Sequence, residues 1–494
     1  MAVGAGLAVP GRQGAVQPAV PDGPLKRETR PPEPVGGGAI RITFHGAVRT
    51  VTGSLHIVES GPVTVYLDCG LFQGRRDDAR EWNRRLPTPP RQVAAVILSH
   101  AHLDHCGNLP TLVAAGFRGP IYCTPATRDL AALVLRDAAR VGSHDLTIVN
   151  RSRRRQGLPD VEPLYAPRDV ERAVALMRPV PYGQRLRVGS LSVTFRDAGH
   201  ILGSALVLLE HGGRRLGFTG DLGRPGTAII RDPELLPAVD ALICESTYGD
   251  RDHECHAGAL ARLASVVTET TGRGGRVLIP AFAIGRTQEL VYALIQQREA
   301  GRIPDVPIYV DSPMAIDATA IFRRHPECFD DETRAHLRRR DPFGLGMLRY
   351  VRTAADSRAL VERDEPCVVI ATSGMAEGGR ILLHLRRFIG DPRATILFVG
   401  YQAAHTLGRR ILDGASEVRI YGEPHRVALQ VARADAFSAH ADRSELLAWV
   451  QRVPATGRVF CVHGDQGPAT ALAAALTSNG ITASVPVVGQ AETV

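Results

Sequence analysis

The stretch Ser99-His100-Ala101-His102-Leu103-Asp104-His105-Cys106-Gly107 follows directly on the apolar run Val93–Leu98. A short run of that kind, ended by polar residues, reads as a buried strand. Two histidines two apart, then an Asp-His pair, gather four metal-capable side chains in one turn at its end. Imidazole nitrogen and carboxylate oxygen suit zinc, which accepts them at ~2.0–2.2 Å without a strong geometric preference. A helix is expected from about Asn108, so the turn also lies near a helix N-terminus, where anions are favoured. The plain alternative is a polar surface loop, and it gives no reason for four ligand types at this spacing.

One loop cannot close two metal sites, so partners are expected at other strand ends. Asp197-Ala198-Gly199-His200 follows Leu191–Arg196, Phe218-Thr219-Gly220-Asp221 ends the next run, and Asp68 in Tyr66-Leu67-Asp68-Cys69-Gly70 ends an earlier one. Each is an apolar strand closed by a ligand type beside a glycine that lets the backbone turn. Singly, His200 or Asp221 reads equally well as an ordinary turn residue. As an ordered set with the loop, they do not.

That set resembles the motifs of the metallo-β-lactamase fold. The resemblance implies that His100, His102 and His200 hold one zinc, that Asp104 and His105 hold the other, and that Asp221 bridges them. Asp68 then orients a ligand rather than binding metal. Further segments narrow the family. Glu245-Ser246-Thr247-Tyr248-Gly249-Asp250, Phe437-Ser438-Ala439-His440 and Val462-His463-Gly464-Asp465, the last two placed at the ends of late strands, resemble the β-CASP nucleases, the family that includes bacterial RNase J and the cleavage-and-polyadenylation nuclease. The stretch Pro280–Leu290, Pro-Ala-Phe-Ala-Ile-Gly-Arg-Thr-Gln-Glu-Leu, and Ser373-Gly374-Met375 are also similar to that family. Histidine at position 463 resembles the pattern of members that act on RNA, and the resemblance implies that it completes the second zinc site. Asp465 departs from the glutamate usual in that motif, which bears only on ligand orientation.

The resemblance implies an αββα metallo-β-lactamase sandwich with an inserted α/β β-CASP domain. Residues 39–247 and 434–494 form the sandwich, 248–433 the insertion, and 1–38 a disordered tail. The implied activity is zinc-dependent hydrolysis of RNA phosphodiester bonds, exo- or endonucleolytic, by a metal-bridged hydroxide with two zinc ions per chain. His440 is the expected general acid, oriented and kept cationic by Glu245. Arg286, Ser373 and Gly374, beside predicted helix starts, are candidate phosphate-binding residues. A small-molecule metallo-hydrolase and a DNA nuclease of the same fold are the competing readings, and a scaffold that has lost its metal ligands is a third. The large insertion and the Glu245/His440 pair argue against the first, His463 against the second, and the full ligand set against the third.

Composition fits without deciding. The 494 residues are 44% hydrophobic and 22% charged, ordinary globular values. No run reaches the ~18 apolar residues of a membrane helix, and no secretory signal stands at the start. No membrane association and a cytoplasmic location are therefore expected, with RNA as partner and a homodimer allowed. The formal charge of +8 suits a polyanion, but Lys26 is the only lysine, so the charge also reflects an arginine-rich composition. Eight cysteines stand singly with no Cys-x-x-Cys pair, and are expected to be reduced and buried. Residues 1–38 are mostly small side chains and prolines that cannot bury enough surface to offset chain entropy. Helical periodicity is read over Thr127–Arg140 and Arg168–Met177, with Arg153-Arg154-Arg155 in a polar loop. Strands alternate with helices from about Thr247, as in a parallel sheet, and Ala434–Ser438 reads as a late strand.

Overall fold

A computed structural model describes residues 38–494 apart from 75, 345, 347, 401, 403, 404, 435, 436 and 455. The expected tail, 1–38, lies outside the described residues but for Gly38. Two seven-stranded sheets face each other. The first runs, in spatial order, Ala491–Thr493, Arg41–Phe44, His56–Ser60, Val63–Leu67, Ala95–Ile97, Ile121–Cys123, Met177–Pro179. The second runs Ala483–Ser484, Arg458–Val462, Ala241–Glu245, Arg214–Phe218, Ala205–His211, Leu191–Asp197, Arg185–Val188.

Strand alternation explains the layering. In Ala95–Ile97 the outer two side chains face the second sheet, beside Val65, Leu67, Val207 and Phe218, while Val96 faces the opposite way. Val96 meets Leu112, Leu130 and Ala173 from the helices Leu109–Ala114, Pro125–Arg155 and Pro167–Leu176. In Ala241–Glu245, Ala241 and Ile243 join the inter-sheet core, and Leu242 and Cys244 meet Leu446, Trp449 and Leu472 of Arg443–Arg452 and Gln466–Ser478. With a period of two, both faces are apolar because both are covered. The result is the expected αββα sandwich.

Between Glu245 and Arg458 the chain builds a third sheet of six parallel strands: Leu348–Tyr350, Ile308–Asp311, Cys367–Ala371, Arg276–Pro280, Thr395–Phe398, Gln430–Arg433. Val277 and Ile279 pack against His256–Gly272 and Arg286–Glu299; Leu278 faces Leu385 and Phe388 of Ile381–Phe388. The insertion is thus an α/β layer of its own. Its helices also join the sandwich, because Ile284, Tyr292 and Phe322 share one core with Ile201 and Leu202.

Two expectations are corrected. Arg153-Arg154-Arg155 closes the 31-residue helix Pro125–Arg155 rather than lying in a loop. Its buried residues end at Ala139, so the second half carries no apolar stripe for a periodic reading to find. The strand expected at Ala434–Ser438 stands instead at Gln430–Arg433, where it pairs with Thr395–Phe398 in the insertion's sheet. Seven cysteines are buried and free; Cys255 is exposed.

Candidate metal centre and active site

All the strand ends singled out in the sequence meet on one side of the sandwich. Asp68 follows Val63–Leu67 with a left-handed backbone, φ 60°. Its buried carboxylate accepts hydrogen bonds from Ser54 Oγ (3.1 Å), the Ser99 N–H (2.8 Å), Ser99 Oγ (3.0 Å) and His105 Nδ1 (2.7 Å). Holding the proton on Nδ1 turns the Nε2 lone pair of His105 inward, the work of an orienting carboxylate. Gly70 is required beside it: a Cβ there would lie 1.6 Å from the Asp104 carbonyl oxygen.

The inward atoms form two groups. In the first, His100 Nε2 and His102 Nδ1 are 3.1 Å apart, His200 Nε2 and His102 Nδ1 are 3.3 Å apart, and Asp221 Oδ2 stands 3.3 Å from His100 and 3.5 Å from His200. His200 is set by its other nitrogen, Nδ1, which donates to the Ala439 carbonyl at 3.2 Å. In the second, His105 Nε2 and His463 Nε2 are 3.0 Å apart, and His463 Nε2 stands 3.5 Å from Asp104 Oδ2. Asp221 Oδ1 reaches this group, 3.2 Å from His105 Nε2 and 3.3 Å from His463 Nδ1, the ring's other nitrogen.

These spacings test whether the donors fit a metal. Four ligands at ~2.0–2.1 Å in a tetrahedron stand about 3.3 Å from one another. The observed 3.0–3.5 Å is that edge length, and it sets imidazole nitrogens against one another and against carboxylate oxygens, an arrangement that a shared cation satisfies. Asp221 Oδ1 is buried without a hydrogen bond, an expensive state for a carboxylate oxygen that a cation relieves. The set fits. In the first group the electrostatics agree: burial, then neighbouring charge, holds His100 and His200 below the usual imidazole range and His102 at about 3, which leaves them neutral ligands. His105 differs: burial would lower it, but Asp221 and then Asp68 outweigh burial and hold it well above that range. Burial alone would raise the Asp104 carboxyl, but His463 and His105 outweigh it and pull it down.

Beside the first group stands a pair of a different kind. Glu245, wholly buried at the end of Ala241–Glu245, accepts from the Leu222 N–H at 2.6 Å and faces His440 Nδ1 at 3.1 and 3.2 Å. Burial disfavours the imidazolium, but Glu245 and then Asp221 outweigh it and bring the His440 pKa up to about 9. His440 keeps some exposure, with 22% of its side chain open.

The phosphate-binding candidates are placed less uniformly. The Ser373 N–H already donates to the Gly378 carbonyl at 3.1 Å, and Ser373 Oγ accepts from the Gly378 N–H at 3.3 Å, so that half of the expected cradle is committed. The Gly374 carbonyl accepts from Gln402 Nε2 at 3.0 Å. Arg286 lies 3.7 Å from Glu289, and its Nη1 is buried with no hydrogen bond. Three contributors had no assigned role in the sequence. Ser99 adjoined the histidine loop and could have been noticed; Ser54 carries no local signal; Thr247 Oγ1, 3.3 Å from His463 Nδ1, lay within the Glu245 motif.

A covered two-sheet sandwich with this His/Asp centre and an α/β insertion is the architecture of a metal-dependent nuclease of the metallo-hydrolase class. Residues 57–248 match the metallo-β-lactamase superfamily, 287–411 the β-CASP domain, and 424–486 the Zn-dependent metallo-hydrolase RNA specificity domain. The chain is 41% identical over 442 residues to ribonuclease TTHA0252 of Thermus thermophilus, covering 89% of this chain and 97% of that protein. It is 35% identical over 442 residues to transcription termination factor FttA of Methanocaldococcus jannaschii, covering 86% and 67% respectively. A protein of unknown function from Enterococcus faecalis V583 shares the fold, with TM-score 0.56 at 14% identity, covering 92% of this chain and 100% of that one. The chain belongs to the β-CASP family of the metallo-β-lactamase superfamily.

Proposed function

We propose that this protein hydrolyses RNA phosphodiester bonds with two zinc ions, the first held by His100, His102, His200 and Asp221, the second by Asp104, His105, His463 and Asp221. The observation that carries the reading is Asp221, whose two oxygens face the two groups separately at 3.2–3.5 Å. Zinc bound there supplies Lewis acidity and lowers the pKa of water toward neutrality. The protein's own part is proton delivery and orientation. His440 gives its Nδ1–H to Glu245, which leaves Nε2 to carry the proton that the departing 3′-oxygen needs. Glu245 is a positioning residue that holds the ring and favours the imidazolium. Arg286, whose buried Nη1 faces Glu289 at 3.7 Å and makes no hydrogen bond among the described residues, is the candidate guanidinium for a backbone phosphate.

RNA is favoured as substrate because the most similar relative described above is a ribonuclease and the segment around His463 matches an RNA specificity domain. Sandwich residues 39–247 and 434–494 with insertion 248–433 are the proposed division of the chain. No helix among the described residues is long and apolar enough to cross a membrane. Matched RNA and DNA oligomers labelled at either end, incubated with and without chelator, test the proposal. Chelator-sensitive cleavage of RNA over DNA is expected, and the labelled end that shortens gives the direction. Cleavage of DNA alone, or RNA cleavage indifferent to chelator, overturns it.

A further inference from the structure

Among the described residues, five large hydrophobic side chains are exposed, and Phe282, at 52%, is the only aromatic one. It is not a loose surface residue. It stands at the carboxyl end of Arg276–Pro280, a central strand of the parallel sheet, the edge at which open α/β sheets bind ligands. Its own carbonyl accepts from both the N–H (3.3 Å) and Oγ (2.7 Å) of Thr287, which pins the loop to the first turn of Arg286–Glu299. The Ala281 N–H donates to the Ala371 carbonyl and fixes the loop from the other side. Its ring lies against Gly374, where a Cβ would come within 3.1 Å of Cδ2 and Cε2. Any larger residue at 374 would push the ring away.

The loop also faces the metal side. An added Cβ on Gly285 would lie 3.3 Å from the Ile201 side chain, adjacent to His200, and Ile284 is buried in the same core as Ile201. A rigid phenyl ring, backed by a glycine and left exposed two residues from the buried Ile284, costs hydration free energy unless something covers it. Nucleobases are flat, have π-faces whatever their sequence, and lie beside the phosphate backbone, for which Arg286, four residues on, is the proposed partner.

We propose that Phe282 is a stacking platform for one unpaired base of the RNA substrate, positioning the strand for cleavage; this rests on the reading of the protein as a ribonuclease. Stacking fixes where a single strand lies without selecting its sequence. The ring therefore sets register and favours unpaired over duplex RNA.

The experiment is a base-removal scan. Single-stranded RNA oligomers carrying one abasic nucleotide at successive positions are cleaved by wild-type, Phe282→Ala and Phe282→Trp proteins, with zinc content and melting temperature measured for each. Wild type is expected to lose ~10-fold in kcat/KM at one abasic position, the scale of a single stacked base. Phe282→Ala is expected to lose a similar factor on intact RNA, mainly in KM, and to show no further loss at that position. Phe282→Trp is expected to restore the wild-type pattern. If Phe282→Ala cleaves intact RNA as well as wild type, or loses the same factor at every abasic position including that one, the ring does not stack on a base. A change in oligomeric state with the abasic pattern intact assigns the ring to a protein contact instead and overturns the proposal. Absence of RNA cleavage by wild type defeats the ribonuclease reading itself, a separate failure.

Discussion

His440 and His463 have ring centroids 6.1 Å apart, yet their surroundings assign them different work. His463 is nearly buried among Asp104, Asp221 and His105, whereas His440 leans on Glu245 and stays partly open. His440→Ala should therefore keep its metal and its RNA affinity while turnover falls ~10²–10⁴-fold, the range of a positioned acid. His463→Ala should lose metal from one site as well as activity; metal analysis of both variants checks the contrast. The pH profile follows from the sign of the His440 shift. A group raised to about 9 donates its proton below that value, so the rate should fall as pH rises through about 9. Glu245→Gln removes the largest raising influence, and the alkaline limb should move to lower pH with a smaller loss at neutral pH. An unmoved limb would separate Glu245 from the acid. At this scale the sequence was informative because strand ends concentrate chemistry. The Asp68, His100–His105, His200, Asp221, Glu245 and His463 positions reach one centre because each stands at or just past the end of an apolar strand; His440 joins them from the segment after Gln430–Arg433. Ser54 was invisible because its one role, a bond to Asp68 fourteen residues away, depends on how two loops fold together.

Elements were legible where one face alternates or repeats, and obscure where tertiary pairing alone decides. Val93–Leu98 and Val239–Glu245 declared themselves as apolar runs of buried-strand length. Gln430–Arg433 did not, being largely exposed and held by its ladder to Thr395–Phe398. The helix Pro125–Arg155 shows a related limit, legible as far as its apolar stripe and silent beyond it. Its start does carry consequences for the site. Thr124 caps it by accepting from the Thr127 N–H at 3.2 Å, and Thr124 Oγ1 also donates to the Gly203 carbonyl at 2.6 Å. Thr127 Oγ1 donates to the same carbonyl at 2.7 Å. The helix N-terminus thus braces the turn that presents His200. Thr124→Ala should cost about 1–2 kcal/mol of stability in denaturant titration, as loss of a cap does. It should weaken metal binding less than His200→Ala, because Thr127 still holds the turn. Equal losses from the two variants would place Thr124 closer to the metal than the geometry puts it.

For the molecule as a whole, the metal centre joins parts of the chain that are distant in sequence, so metal should be worth stability as well as activity. A ligand that binds only the folded state stabilises it in proportion to the logarithm of its concentration over its dissociation constant. Chelation should lower the melting temperature by several degrees while leaving RNA binding largely in place, provided the insertion contributes the contacts proposed above. Calorimetry with and without chelator measures the first, and filter binding the second. Sandwich and insertion were both readable in outline from the change of texture near Thr247. Their joint core was not, because Ile284 and Phe322 look like ordinary members of their own helices and loops until Ile201 is placed beside them. One consequence concerns manufacture. His105 and His463 touch although 358 residues separate them. The strand Arg41–Phe44 pairs with Ala491–Thr493, so its outer edge waits for that much later segment to be synthesised. At roughly 5–20 residues per second on the ribosome, the interval between those two histidines is some tens of seconds. Throughout it a growing chain holds His105 without His463, so the nascent chain lacks one ligand of the proposed second metal site.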